Sequence, residues 1–270
     1  MPQAIRAARS GFRRTEPAVA TSAQSGIRTI ASGRLVLCIA LVGLFLLGST
    51  SLAEEPYRVL SPAGNAPHSA VLLVPGCSGF AAVNGVSMYE ERAVELQAAG
   101  YFVVFVNYLG FESNCAHVSH SQVGGAILEA AAWTRAHTGV DSSRISVIGW
   151  SYGGGGVLAA LATMPPTSLP PIAKAVMYYP DCRGALSWSA PGVSAMMFLG
   201  EIDDVARPAL CDAVAKQAPA DRLRVVVYSN ARHAFDVRGL PERAEYPFGT
   251  RGYNAEAATA SWAAVRHFLK

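Results

Sequence analysis

Among the five cysteines, at 38, 77, 115, 182 and 211, there is no C-x-x-C pair. Zinc-ribbon and thioredoxin-type readings therefore have no support. The one spacing suggestive of a metal, His117-x-x-His120, lies on a loop and has no apparent third ligand, whereas a zinc site needs at least three from the protein. There is no internal repeat. No apolar run reaches the roughly 20 residues that a membrane-spanning helix needs. Nor is there an excess of basic charge outside the first 53 residues. Those hold Arg6, Arg9, Arg13, Arg14, Arg28 and Arg34 against one acid, Glu16, whereas residues 54–270 hold 16 basic and 18 acidic residues. A mildly acidic remainder offers no electrostatic footprint for nucleic acid.

The basic segment is followed by Leu35 to Leu47, 13 uncharged apolar residues, and then by small residues ending in Ser51-Leu52-Ala53. A positive region, an apolar region and an A-x-A-like site make up a secretory signal. Residues 1–53 are expected to be a signal peptide cleaved near Ala53, or alternatively an uncleaved signal anchor. The expected location is periplasmic or secreted, with no membrane contact beyond such an anchor. Cys38 leaves with the apolar run. Four cysteines then remain, an even number that permits two disulfides in an oxidising compartment.

Residues 54–270 suit one domain. Apolar runs bounded by turn residues recur at Ala70–Val74, Phe102–Val106, Ile145–Ile148, Ala173–Tyr179, Ala195–Leu199 and Leu223–Tyr228, and read as buried strands. Helical patterns fall between them, at Met88–Ala99, Val123–His137, Val157–Ala162 and Pro208–Gln217, with a last one at Ala255–Leu269. The lead-in before residue 69 holds at most an edge strand. Apolar strands alternating with helices predict a doubly wound, mainly parallel sheet with helices on both faces. A site is then expected at the carboxyl ends of the strands.

The Ile145–Ile148 strand runs into Gly149-Trp150-Ser151-Tyr152-Gly153, which fits G-x-S-x-G and opens a helix. That context holds a serine oxygen on a sharp turn, clear of its own backbone. Side chains at 149 and 153 would collide with the neighbouring strand or helix. A serine nucleophile needs a base to take its proton and an acid to orient the base. Past the Ala195–Leu199 strand comes Gly200-Glu201-Ile-Asp203-Asp204, and past the Leu223–Tyr228 strand comes His233. The order serine, acid, histidine, each beyond a strand end, fits the same chemistry. His233 is the candidate base. Asp203 is favoured as the acid over Asp204, and Glu201 lies too close to its strand. His68 and His137 read as surface residues. The developing oxyanion needs about two N–H donors. The backbone N–H of Tyr152 is one candidate, and that of Cys77, in the loop Pro75-Gly76-Cys77-Ser78-Gly79, is the other. Arg183, Arg207 and Arg232 lie near strand ends, where an anionic substrate could meet them.

Taken together, Pro75–Gly79, Gly149–Gly156, Tyr179–Cys182, Gly200–Asp204 with Cys211, and Ala231–Asp236 resemble the dienelactone hydrolase family of α/β-hydrolases. The resemblance covers roughly residues 70–270. It implies hydrolysis of small esters or lactones without a cofactor, with Ser151 as nucleophile, Asp203 as acid and His233 as base. The chain departs from the founding enzymes at two points: Ser151 stands where they carry a cysteine, and Pro75-Gly76 replaces the usual His-Gly. The Gly149–Gly156 stretch also looks like that of secreted polyester hydrolases. The expected activity is cleavage of a small-molecule carboxylic ester or lactone through an acyl-enzyme. Acyl transfer to another alcohol and a non-catalytic binding protein are the alternatives, and oligomeric state is not legible. Cys182 lies just past one strand and Cys211 in the helix after the next, so neighbouring strands would let them bridge. Cys77 and Cys115 are then the second candidate pair, and free thiols are the alternative.

Overall fold

The computed structural model describes residues 55–270 apart from 111, 165–170, 185–189, 191 and 220. The expected export segment 1–53, with Cys38, lies outside the described residues. A seven-stranded sheet forms the frame. Its strands are β1 (Arg58–Leu60), β2 (His68–Val74), β3 (Phe102–Phe105), β4 (Val140–Trp150), β5 (Lys174–Tyr178), β6 (Ser194–Gly200) and β7 (Leu223–Tyr228). They lie in the order β1-β3-β2-β4-β5-β6-β7. Within this sheet only the edge pair β1–β3 is antiparallel; every other pair is parallel.

Alternation along each strand divides the apolar residues between two faces. Leu72, Val74, Val104, Val147, Met177 and Leu199 point to one side. They pack there with helices α2 (His120–Ala136) and α3 (Tyr152–Thr163). Val71, Leu73, Phe105, Ile148, Trp150 and Phe198 point to the other. That side is covered by α1 (Met88–Ala98) and α5 (Ala255–Leu269). The expected doubly wound α/β architecture is therefore observed. A short helix, α4 (Asp212–Gln217), follows a 3₁₀ turn at Pro208–Cys211. A small hairpin, β8 (Ala244–Tyr246) and β9 (Gly249–Arg251), follows β7.

Side chains close the starts of α1, α2 and α5. Ser87 Oγ accepts from Glu90 N–H, Asn254 Oδ1 accepts from Ala257 N–H, and Ser119 and Gln122 form a reciprocal capping box. These bonds satisfy donors that a helix N-terminus otherwise leaves open. The capping box starts α2 three residues before the apolar pattern does. The two single histidines expected at the surface are only half-exposed: His68 opens β2, and His137 packs on Phe102 at 4.6 Å between ring centres.

Candidate active site

Ser151 sits between β4 and α3 with φ 51° and ψ −116°. A non-glycine residue there is strained, and such strain persists only where the surroundings over-determine it. Here they do. Ser151 N–H donates to Tyr178 O at 2.9 Å, and Ser151 O accepts from the N–H groups of Gly155 and Asp181, both at 3.0 Å. A Cβ on Gly149 would lie 2.7 Å from Gly153 O, and one on Gly153 would lie 2.2 Å from Pro75 O. Neither position has room for a side chain, as the motif required.

The loops after β6 and β7 complete the arrangement. Ser151 Oγ lies 2.8 Å from His233 Nε2, and His233 Nδ1 lies 2.8 Å from Asp203 Oδ2. His233 and Asp203 are buried. The other oxygen of Asp203 accepts the N–H groups of Val205 and Ala206, at 2.9 and 2.8 Å. These bonds hold the carboxylate in one orientation. Asp204 turns elsewhere, to the N–H and hydroxyl of Thr250 in β9. Desolvation works to raise the Asp204 pKa, but the Thr250 bonds outweigh it and the pKa falls. Glu201 accepts the N–H of Asn230 at 3.1 Å. Of the three acids, Asp203 alone is hydrogen-bonded to His233.

The expected oxyanion loop lies beside Ser151. A Cβ on Gly76 would come within 3.4 Å of Ser151 Cβ. Gly76, Cys77, Trp150, Ser151, Tyr179 and His233 share the wall of a cavity of about 100 Å³. Tyr152 N–H belongs to the first residue of α3, where helix geometry supplies no acceptor. Cys77 is bridged to Cys115, and Cys182 to Cys211. Strands β5 and β6 are indeed neighbours, so the second pair forms as expected.

Several residues that sequence reasoning missed also surround the site. Tyr89 Oη accepts the N–H of Gly76, and Tyr108 Oη donates to Gly76 O, each at 2.9 Å. Asp236 is buried and accepts from Trp150 Nε1–H at 2.9 Å and from Tyr179 O–H at 2.6 Å. Burial raises its pKa, which the Tyr179 and Trp150 bonds partly offset. Tyr179, at φ 34°, lays its ring against His233 with centres 4.7 Å apart. The arginine in the cavity wall is Arg251. None of the three arginines singled out from the sequence is there: Arg183 pairs with Asp181, Arg232 donates to Thr250, and Arg207 precedes the 3₁₀ turn. His120 lies 3.5 Å from Asp181 and packs its ring, tilted by 39°, against Tyr152. A larger groove, about 650 Å³, lies between α1 and α5, but no serine, cysteine or histidine lines it.

The sheet order and the elbow at its centre define an α/β-hydrolase. Within that class, a profile of the dienelactone hydrolase family matches residues 58–270, and the chain belongs to this family. On that membership it is a carboxylic ester hydrolase. No curated protein matches the sequence significantly. Solved structures share the fold at low identity. A Klebsiella pneumoniae protein assigned as a dienelactone hydrolase is 18% identical with a TM-score of 0.60, over 77% of this chain and 88% of its own. A dienelactone hydrolase-like promiscuous phosphotriesterase from metagenomic libraries is 21% identical with a TM-score of 0.56, over 77% of this chain and 87% of its own. Esterase 2 of Thermogutta terrifontis is 18% identical with a TM-score of 0.55, over 79% of this chain and 88% of its own.

Proposed function

We propose that the protein hydrolyses small carboxylic esters or lactones through an acyl-enzyme on Ser151. The observation that carries this reading is the unbroken chain Ser151 Oγ–His233 Nε2 and His233 Nδ1–Asp203 Oδ2, both links 2.8 Å. His233 takes the serine proton as Oγ attacks the ester carbonyl. Asp203 holds the imidazole with Nε2 free to accept and stabilises the imidazolium that forms. The N–H groups of Tyr152 and Cys77 receive the oxyanion, in a site whose wall is largely apolar and where such donors count for more than in water. His233 then gives its proton to the leaving alcohol. Water, deprotonated by the same imidazole, attacks the acyl-enzyme and releases the acid. No cofactor is needed for any step.

The cavity of about 100 Å³ is small beside the 300–1,000 Å³ of pockets for drug-sized ligands, which favours short acyl groups. The family match supports ester chemistry, and the two disulfides support an oxidising compartment. With the basic and apolar order before Ala53, they support export of a mature chain beginning near Glu54. Among the described residues no helix is long and apolar enough to cross a membrane.

Ser151→Ala tests the reading, assayed on nitrophenyl esters of graded acyl length. Loss of a triad nucleophile lowers kcat on the order of 10⁶-fold, and short acyl chains should be the best wild-type substrates. A variant keeping more than a few per cent of activity, with contamination excluded, would sink it.

A further inference from the structure

We infer that Tyr108, just beyond the end of β3, is a positioning residue that aims the Cys77 N–H at the developing oxyanion. This rests on the proposed role of Ser151 and of that N–H. Gly76 O receives two bonds: Tyr108 Oη at 2.9 Å, and Gly79 N–H at 3.0 Å closing a turn. Gly76 O and Cys77 N–H belong to one planar, trans peptide unit, so they point in opposite directions. Fixing the carbonyl therefore fixes the N–H. Among the described residues nothing accepts the Cys77 N–H, and both Gly76 and Cys77 stand in the cavity wall with Ser151.

The turn bond alone is local to the loop and moves with it. Tyr108 ties the carbonyl to the sheet frame instead: it lies three residues past Phe105, the last of β3, and its N–H donates to Val106 O, whose own N–H donates to Leu73 O in β2. The neighbouring peptide is held separately, through Gly76 N–H to Tyr89. The Cys77–Cys115 bridge tethers the side chain of the same residue, but a side-chain tether leaves the peptide plane free to rotate about its flanking bonds. The hydrogen bond to the carbonyl is the contact that removes this rotation. Desolvation, with Tyr89 and Tyr152 nearby, pushes the Tyr108 hydroxyl pKa up, which keeps it a donor throughout the working range.

The test compares wild type with Tyr108→Phe and with p-aminophenylalanine in place of Tyr108, which restores an N–H donor at the ring tip. Substrate is a short-chain nitrophenyl ester, and the inhibitor is an aryl trifluoromethyl ketone, which forms a tetrahedral oxyanion on the serine. Losing an oxyanion donor costs about 10²–10³-fold in kcat, and loosening one costs less. Tyr108→Phe should lower kcat by roughly 10–100-fold with KM nearly unchanged, and should weaken the ketone by a similar factor. The amino variant should recover most of both. Unchanged kcat in Tyr108→Phe, a loss confined to KM, or equal loss of thermal stability and activity in both variants would overturn the inference. Ser151→Ala is assayed in parallel: if it is active, the reading of the site fails, whereas an inactive Ser151→Ala beside a fully active Tyr108→Phe refutes only the role of Tyr108.

Discussion

Two aspartates lie buried on either side of His233 along the chain, Asp203 at 4% and Asp236 at 1% exposure, and they differ in what they face. Asp203 meets a group that can become a cation, and its second oxygen is filled by two backbone N–H groups. Asp236 meets only neutral donors, the indole of Trp150 and the hydroxyl of Tyr179. A carboxylate beside an imidazole can stabilise charge that appears during a reaction. A carboxylate between a Trp and a Tyr can only fix where those rings lie. Burial alone therefore does not make a carboxylate a candidate acid; the partner does.

The largest effect that can break this contrast is on Asp203. Asp203→Asn keeps the shape but removes the charge, and should lower kcat by about 10⁴-fold while leaving the fold intact. Steady-state kinetics beside a thermal melt will show whether activity and stability separate as expected.

Asp236→Asn should do the reverse. Its amide turns an N–H₂ toward one of two donors, which leaves a buried polar group unpaired at a cost of about 1–3 kcal/mol. Urea unfolding reads that loss. The pH dependence sharpens it. Burial raises the Asp236 pKa above its ordinary value of 3.8, so the folded state holds this proton more tightly than the unfolded one. The stabilisation that results is full below 3.8 and is lost as pH rises through the folded value. The stability advantage of wild type over Asp236→Asn should therefore shrink across that window, and a flat difference would show that burial does not govern this group.

The smallest effect is expected at Asp204. Its partners are the N–H and hydroxyl of Thr250, and an Asn oxygen can still accept from them. Asp204→Asn should stay within severalfold of wild-type kcat. A loss exceeding that of Asp203→Asn would reverse the assignment of the acid.

What could be read in advance was what is local. Gly149 and Gly153 declare the elbow because a side chain at either would meet the backbone packed against it, and α5 is legible from Ala255 to Leu269 as one uninterrupted helical stretch. Asp203 and His233, each past a strand end in the sequence, are hydrogen-bonded to each other in the structure. What escaped was of two kinds. The first was weak local signal: β4 begins at Val140, ahead of the polar stretch Asp141–Arg144, and the strands of the β8–β9 hairpin have three residues each, too few to show a period. The second was contact between residues far apart in the chain. Tyr108 reaches Gly76 across 32 positions, and Trp150 reaches Asp236 across 86. Arg251 lines the cavity because β9 forms a bridge to His233, whereas Arg183, Arg207 and Arg232 lie near strand ends in sequence and outside that wall.

The run Gly153–Gly156 carries a consequence for how the chain folds. Gly156 lets α3 approach α2 so closely that a Cβ would lie 2.2 Å from Val123 Cγ1. Yet glycine is a poor helix former, by about 1 kcal/mol per residue relative to alanine, and four among its first five residues make α3 unable to nucleate by itself. The turn that bears Ser151 must wait for the sheet and α2 to be in position. Substitutions in this turn should therefore leave the folding rate nearly unchanged and act on unfolding instead, and a chain halted short of the native state would carry a serine no more reactive than any other.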